Sequence, residues 1–269
     1  MNKTITLFVA LFSINFSLSS QSLDNWSQDI DPETNLSFLN GKMQIILVGD
    51  PPIQLKTNYN LNSYDSVPFL SFNFDNDSQS FLPKPFTGAN KWLVLFYDCF
   101  LFAYDADDSL PIRNGIKGPN SHKMMHEYTY QASSSLQEKN TIYSANNLGN
   151  LSTKKPWVEG VPGYGIGEYV LIKKESGNTK FESILISIGF VSYKTPSLYS
   201  QNSRPKTIEL TNENKTINIE VTLADTPNLQ SITLPMPTDN LKITIKDIYK
   251  GTKWDDTCIN FIIPLSWHN

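Results

Sequence analysis

The sequence predicts an all-β protein whose C-terminal half is an antiparallel β-sandwich, and three observations carry that expectation. First, apolar residues recur at every second position in separate runs: Ile184, Ile186, Ile188 and Phe190; Ile217, Ile219, Val221 and Leu223; Leu241, Ile243 and Ile245. Thr216, Asn218, Glu220 and Thr222 face the other way in the second run, as Lys242, Thr244 and Lys246 do in the third. Such alternation marks sheets with one face on a core and the other in water. Second, turn signals at Ser176-Gly177-Asn178, Asn212 to Lys215 and Lys250-Gly251 divide the runs, and Cys258 to Ile263 closes the set. Third, no helical period intervenes, which excludes a doubly wound parallel sheet.

The chain has 269 residues and a net charge of −4, enough for one large domain or a small and a medium one. No broad basic field exists to attract nucleic acid or anionic lipid. Residues 1–20 have the layout of a secretory signal peptide: Lys3, an apolar Ile5 to Leu18, then the small Ser19 and Ser20. The apolar run is short for a membrane span. Cleavage near Ser20 is expected to leave an exported chain without a transmembrane segment, located in the periplasm, at the cell surface or in the medium. No cysteine lies near that point, so a lipid anchor there is not expected. Cys99 and Cys258 either form one disulfide or are two buried small hydrophobes.

Residues 21–130 read as a β-rich lead-in. Gln21 to Leu39 is polar and without clear period, and is expected to be a mobile lead. Met43 to Val48 is a short strand; Leu55 to Phe86, rich in Asn, Asp, Ser and Pro, reads as loops and short edge strands. Trp92 to Tyr104 (WLVLFYDCFLFAY) is strand structure buried on both faces and broken around Asp98-Cys99. Asp105, Asp107 and Asp108 follow; the glycine and distal glutamate of a calcium loop are missing, so a solvated turn is expected. His122 and His126 have a metal-compatible spacing, but Lys123 stands where an HExxH motif needs glutamate, and they read as loop histidines. The domain boundary is expected at about residue 130, with residues 131–269 forming the sandwich. Ser135 to Glu138 fits a capping box for one helical turn.

Pro156 to Val170 (PWVEGVPGYGIGEYV) is the stretch around which the second half is organised. Its glycines and prolines forbid a regular helix, so it reads as a built loop feeding a strand. Loops on a rigid scaffold are where binding residues gather. Trp157 and Glu159 stand near its start. Trp157, Tyr164 and Tyr199 offer flat faces of the kind that stack on sugar rings, and Asn202 and Arg204 can donate to hydroxyls.

Catalytic patterns are missing. GYGIG precedes a strand rather than a helix, and no lysine-hydroxyl pair ends it, so it is not a phosphate cradle. No GxSxG elbow occurs, and Ser152 to Lys155 lacks the companion motifs of an SxxK enzyme. Adjacent Asp255 and Asp256 would point to opposite faces of a strand. Glu159 and Glu168 are expected to orient loop amides or bind a cation.

Several motifs in order carry a family resemblance: WVEGVPGYGIGEYV, ISIGFVSYKTPSLYSQNSRPKTIEL, LADTPNLQSITL and LKITIKDIYKGTKWDDTCI. Together they resemble the discoidin-like (F5/8 type C) domain linked to bacterial NAD glycohydrolases, over about residues 132 to 265. The resemblance implies a galactose-binding-like jelly-roll sandwich serving as a translocation and glycan-binding module, and it admits a structural calcium ion. Tyr199, Asn202, Arg204 and Lys206 fall in its YxxNxRxK stretch. The likeness runs out near Leu265, so it implies the binding half of that family's function and not the hydrolase.

The expected function is thus an exported, non-catalytic module whose partner is a glycan or cell-surface ligand, with Trp157, Glu159, Tyr164, Tyr199, Asn202 and Arg204 as its binding residues. One alternative is an envelope protein–protein interaction module acting through a strand edge. The other is a glycoside hydrolase whose carboxylates, Glu159, Glu168 and Asp256 first among them, meet only in the fold.

Overall fold

The computed structural model describes residues 22–83, 86–97, 100–107, 116–117, 128–175 and 180–265. The expected export signal, Asp98, Cys99, Asp108, His122 and His126 lie outside the described residues. Among those described, no helix is long and apolar enough to cross a membrane. Two compact units emerge, and both are built from antiparallel strands.

The first unit is a closed barrel. Its strands are β1 (Ser27–Asp31), β2 (Thr34–Leu39), β3 (Lys42–Leu47), β4 (Ile53–Tyr64), β5 (Val67–Phe72), β6 (Lys91–Tyr97), β7 (Phe100–Tyr104) and β8 (Ile116–Lys117). Each pairs with the next, and Ser27 opposite Lys117 closes the ring. Closure removes the free strand edges that invite aggregation. Leu36, Phe38, Met43, Ile45, Phe72, Trp92 and Phe96 belong to the cluster that fills it. Trp92 packs edge-on against Phe72, ring centres 4.8 Å apart. A barrel of this size has an interior that side chains can fill.

Two expectations for this region are overturned. The stretch read as a mobile lead supplies β1 and β2, with Leu36 and Phe38 pointing inward. The stretch read as loops contains β4, twelve residues long. Its less exposed positions are Leu55, Thr57, Tyr59 and Leu61; the threonine and tyrosine blur the alternation. The Trp92–Tyr104 run does form two paired strands, β6 and β7, on either side of residues 98–99. Asp107 is not a solvated turn residue. It is buried, and its carboxylate accepts hydrogen bonds from the Ser192 hydroxyl (3.2 Å) and the Tyr193 amide within this unit, which includes Ser192–Ser197.

The second unit is the expected sandwich. One sheet has the order β12 (Trp157–Val158), β19 (Cys258–Leu265), β14 (Phe181–Ile188), β17 (Gln230–Thr238). The other has the order β16 (Asn218–Thr222), β15 (Arg204–Thr211), β18 (Asn240–Tyr249), β13 (Tyr169–Lys174), β9 (Tyr128–Ala132). Ile184, Ile186 and Ile188 of the first share a core with Val170, Ile172, Ile208, Leu210, Ile243 and Ile245 of the second. The alternation stops at Ile188, because Gly189 turns the chain at φ +86° and Phe190 lies beyond the strand. β17 is an edge strand carrying Pro235 and Pro237, which cannot donate to an added strand. This weakens the reading of that edge as a partner-binding surface.

β9 lies across the expected boundary at residue 130 and pairs along its whole length with β13. The capping box at Ser135 to Glu138 does not make a helical turn. Gln137–Glu138 (β10) and Thr141–Ile142 (β11) form a small hairpin instead. The backbone amide of Leu136 donates to Val158 and that of Tyr143 donates to Leu136, so long-range pairing wins over the local cap. Cys258 carries a free, buried thiol, which answers to the buried-hydrophobe reading; burial raises its pKa well above the ordinary range.

Candidate functional site: the loop end of the sandwich

The loop between β12 and β13 is bolted down at several points. The Glu159 backbone amide donates to Thr257 O (3.2 Å), and its carboxylate accepts from the Val161 amide (2.9 Å) and the Thr257 amide (3.3 Å). Gly165 passes directly beneath that side chain at φ +63°, where a Cβ would lie 2.4 Å from Glu159 Cγ. No other residue fits there, which is the local reason for the glycine-rich sequence. The Thr257 hydroxyl donates to Tyr164 O (2.8 Å), the Gly167 amide donates to Ile245 O (2.9 Å), and Glu168 accepts from the hydroxyls of Ser133 (2.6 Å) and Ser134.

So fixed, the loop presents Tyr164, half-buried, and Ile166, 57% exposed. The adjacent turn from β18 to β19 is equally anchored: Thr252 and Trp254 donate backbone amides to Ser200 O (3.0 Å) and Gln201 O (2.9 Å). Lys250 Nζ stands 5.0 Å from the Tyr164 ring centre, and Lys253 Nζ 4.3 Å from that of Trp254. Each aromatic ring therefore keeps an ammonium group over one face, an attraction of about 0.5–1 kcal/mol at exposed sites. The result is a preorganised surface of two half-buried aromatic rings and two lysines on neighbouring loops.

Most residues expected to bind ligand are buried. Trp157 is fully buried on β12, its indole N–H donating to Ser134 O (3.0 Å), so its faces are closed to a sugar. Glu159 is fully buried as well. Tyr199 is 2% exposed and Arg204 7%. The guanidinium makes two 2.7 Å bonds to the Asp225 carboxylate, donates to Tyr199 O and Asn202 O, and stacks on the Tyr199 ring at 4.9 Å. Tyr199 OH also donates to Asp225 (3.0 Å). Burial pushes the Tyr199 hydroxyl far up; burial would lower the Arg204 pKa, but Asp225 holds it raised. The Asn202 amide side chain donates to Leu198 O (2.9 Å), and Lys206 pairs with Asp247 (2.8 Å). The YxxNxRxK stretch thus locks its own turn. Of the expected six, only Tyr164 reaches the surface. Lys250, Lys253 and Trp254 were missed; a tryptophan set among glycine, lysines and aspartates in a turn was the available signal.

Glu159 lies within electrostatic reach of Glu168 and Asp256, the other carboxylates of the hydrolase alternative. Glu159 is sealed and engaged on two amides, and Glu168 is engaged on two hydroxyls. Among the described residues no three His, Cys, Asp or Glu side chains come together, so they offer no side-chain cage for a calcium ion.

Burial raises the Glu159 pKa, partly opposed by its two amide bonds, and Asp256 and Glu168 push it higher. The folded chain therefore holds this proton more tightly than the unfolded one. By linkage, sandwich stability falls as pH rises from the ordinary value of 4.5 through the raised folded value. Asp256, also raised by burial, adds to the same trend. Glu159→Gln is expected to gain stability relative to the native chain between pH 4.5 and neutrality, read as the difference in urea midpoint across pH. A difference that does not change with pH would contradict this.

The sequence matches the family described as "NAD glycohydrolase translocation F5/8 type C domain" over residues 123–263, just over half of the chain. No curated protein matches. Among solved structures, the translocation domain of the Streptococcus pyogenes NAD+-glycohydrolase aligns at 24% identity and TM-score 0.30, covering 39% of this chain and 92% of its own. The family 32 carbohydrate-binding module of Streptococcus pneumoniae EndoD aligns at 12% identity and TM-score 0.38, covering 51% of this chain and 96% of its own. The arabinofuranosyltransferase AftD from Mycobacteria aligns at 16% identity and TM-score 0.37 over 50% of this chain, which spans only 10% of that enzyme.

Proposed function

The chain belongs to the NAD glycohydrolase translocation F5/8 type C domain family, and from that premise we propose that it is an exported, non-catalytic module that binds carbohydrate on a cell surface. The observation that carries this reading is the surface formed by Tyr164 and Trp254 with Lys250 and Lys253, held rigid by the Thr257 and Gln201 hydrogen bonds. Flat aromatic faces stack on the apolar faces of sugar rings, and the ammonium groups donate to hydroxyls or acidic substituents. Rigid loops lower the ordering cost of binding. The sealing of Glu159 supports a non-catalytic role, and the layout of residues 1–20 supports export.

A single shallow sugar site of this kind implies affinities on the order of 10 µM to 1 mM, raised by multivalent display. A glycan-array screen of the chain beside Tyr164→Ala and Trp254→Ala tests the reading. Binding to a defined sugar class, weakened about tenfold or more in either variant, is the expected result. No binding by the folded chain would favour the protein-interaction reading instead.

A further inference from the structure

A second concavity lies away from the loop end, where the edge strand β9 of one sheet and β19 of the other meet the 3-10 turn Ala145–Gly149. It is a cleft of about 260 Å³. Tyr128, half-buried, and Tyr130, 8% exposed and part of the core, line it from β9, two positions apart and so on the same face. Both rings are fixed. Tyr130 OH donates to Ile262 O (2.8 Å), and its ring fills the space a side chain at residue 149 would need, a Cβ there lying 2.6 Å from Tyr130 Cε2. Tyr128 packs perpendicular to Phe181, ring centres 5.4 Å apart.

Asn146, Asn150 and Glu175 also line the cleft. Their side-chain polar groups form no hydrogen bond or ion pair among the described residues, unlike the neighbouring Asn147, whose amide is tied to Pro156 O. The cleft thus combines one immobile, half-buried aromatic ring with uncommitted amides, which both donate and accept, and one accepting carboxylate. That complement suits a neutral, polyhydroxylated ligand: hydroxyl groups satisfy donors and acceptors alike, and the ring carbons lie on Tyr128. The volume lies just below the usual range of about 300–1,000 Å³ for ligand sites and suits one sugar ring rather than a chain.

We propose that this cleft is a separate site for a single neutral sugar residue, distinct from the loop surface and capable of acting when that surface is disabled. The assignment rests on the cleft's own geometry and not on the proposed function of the loops.

The test is titration of the full chain with free D-galactose, D-glucose and N-acetyl-D-glucosamine, followed by ligand-observed NMR. Four forms are compared: native, Tyr164→Ala/Trp254→Ala, Asn150→Ala and Glu175→Gln. One sugar is expected to bind with a dissociation constant on the order of 1 mM. That binding should persist in the loop double variant and weaken about tenfold in each cleft variant. Asn150 and Glu175 are exposed, so both cleft variants are expected to keep the native melting temperature, which excludes unfolding as the cause. The proposal is overturned if none of the three sugars binds, if cleft variants bind like the native chain, or if the loop double variant abolishes binding. Either of the last two leaves the loop reading standing without the cleft.

Discussion

Trp157→Ala is expected to lose about 3–5 kcal/mol of sandwich stability, the usual cost of deleting a buried aromatic side chain. The indole sits in the shared core, on a two-residue strand opposite Ile259, and its loss also strips Ser134 O of its donor. Amide hydrogen exchange on β14, β18 and β19 reads this without interference from the barrel, since each unit reports on its own strands. The variant separates two roles. If Trp157 is structural, glycan affinity measured where the variant is still folded stays native. Lost affinity with unchanged exchange protection would return Trp157 to the binding site.

Asp225→Ala should cost about 3 kcal/mol, the lower end for breaking a buried ion pair, because it leaves the Arg204 guanidinium in the sandwich without its counter-charge. Asp225 anchors two bonds from that guanidinium and one from Tyr199 OH. Its own side chain is 38% exposed, so water can reach part of the vacancy and soften the loss. Arg204→Met should be milder, since it removes the charge along with its need for a partner. The double variant should be less destabilised than the sum of the singles, because the two residues interact directly. Additive losses in urea unfolding would show that the pair does not couple.

The sandwich was legible because its core is aliphatic and regularly spaced. Ile184 to Ile188 and Leu241 to Ile245 lie in strands whose core-facing positions are isoleucine or leucine; Lys242 and Thr244 intervene in the second, whereas in the first the intervening Leu185 and Ser187 are buried as well, against the expectation of one face in water. The barrel was less legible for the opposite reason. In β4 the inward series includes Thr57 and Tyr59, and in β2 only Leu36 and Phe38 stand out against a polar background. Closure of the ring depends on Ser27 meeting Lys117 across a long stretch of sequence, which no local pattern encodes.

At the site, the glycine-rich loop was identified and its orientation was not. Trp157 was read as exposed because it borders that loop, yet its strand pairing with β19 turns it inward. Arg204 looked like a ligand donor because nothing local reveals a partner; Asp225 stands twenty-one residues away. Trp254 has as its sequence signal a large aromatic ring in a turn among lysines and aspartates, which is what a stacking surface requires.

The indole N–H signals, followed during titration, distinguish recognition at the loop surface from recognition in the sandwich interior. The chain has five tryptophans, and their resonances can be assigned by substitution. With the sugar selected on the array, the Trp254 signal is expected to shift or broaden while that of Trp157, bonded to Ser134 O, stays still. Movement of Trp157 with Trp254 unmoved would instead place recognition in the sandwich interior.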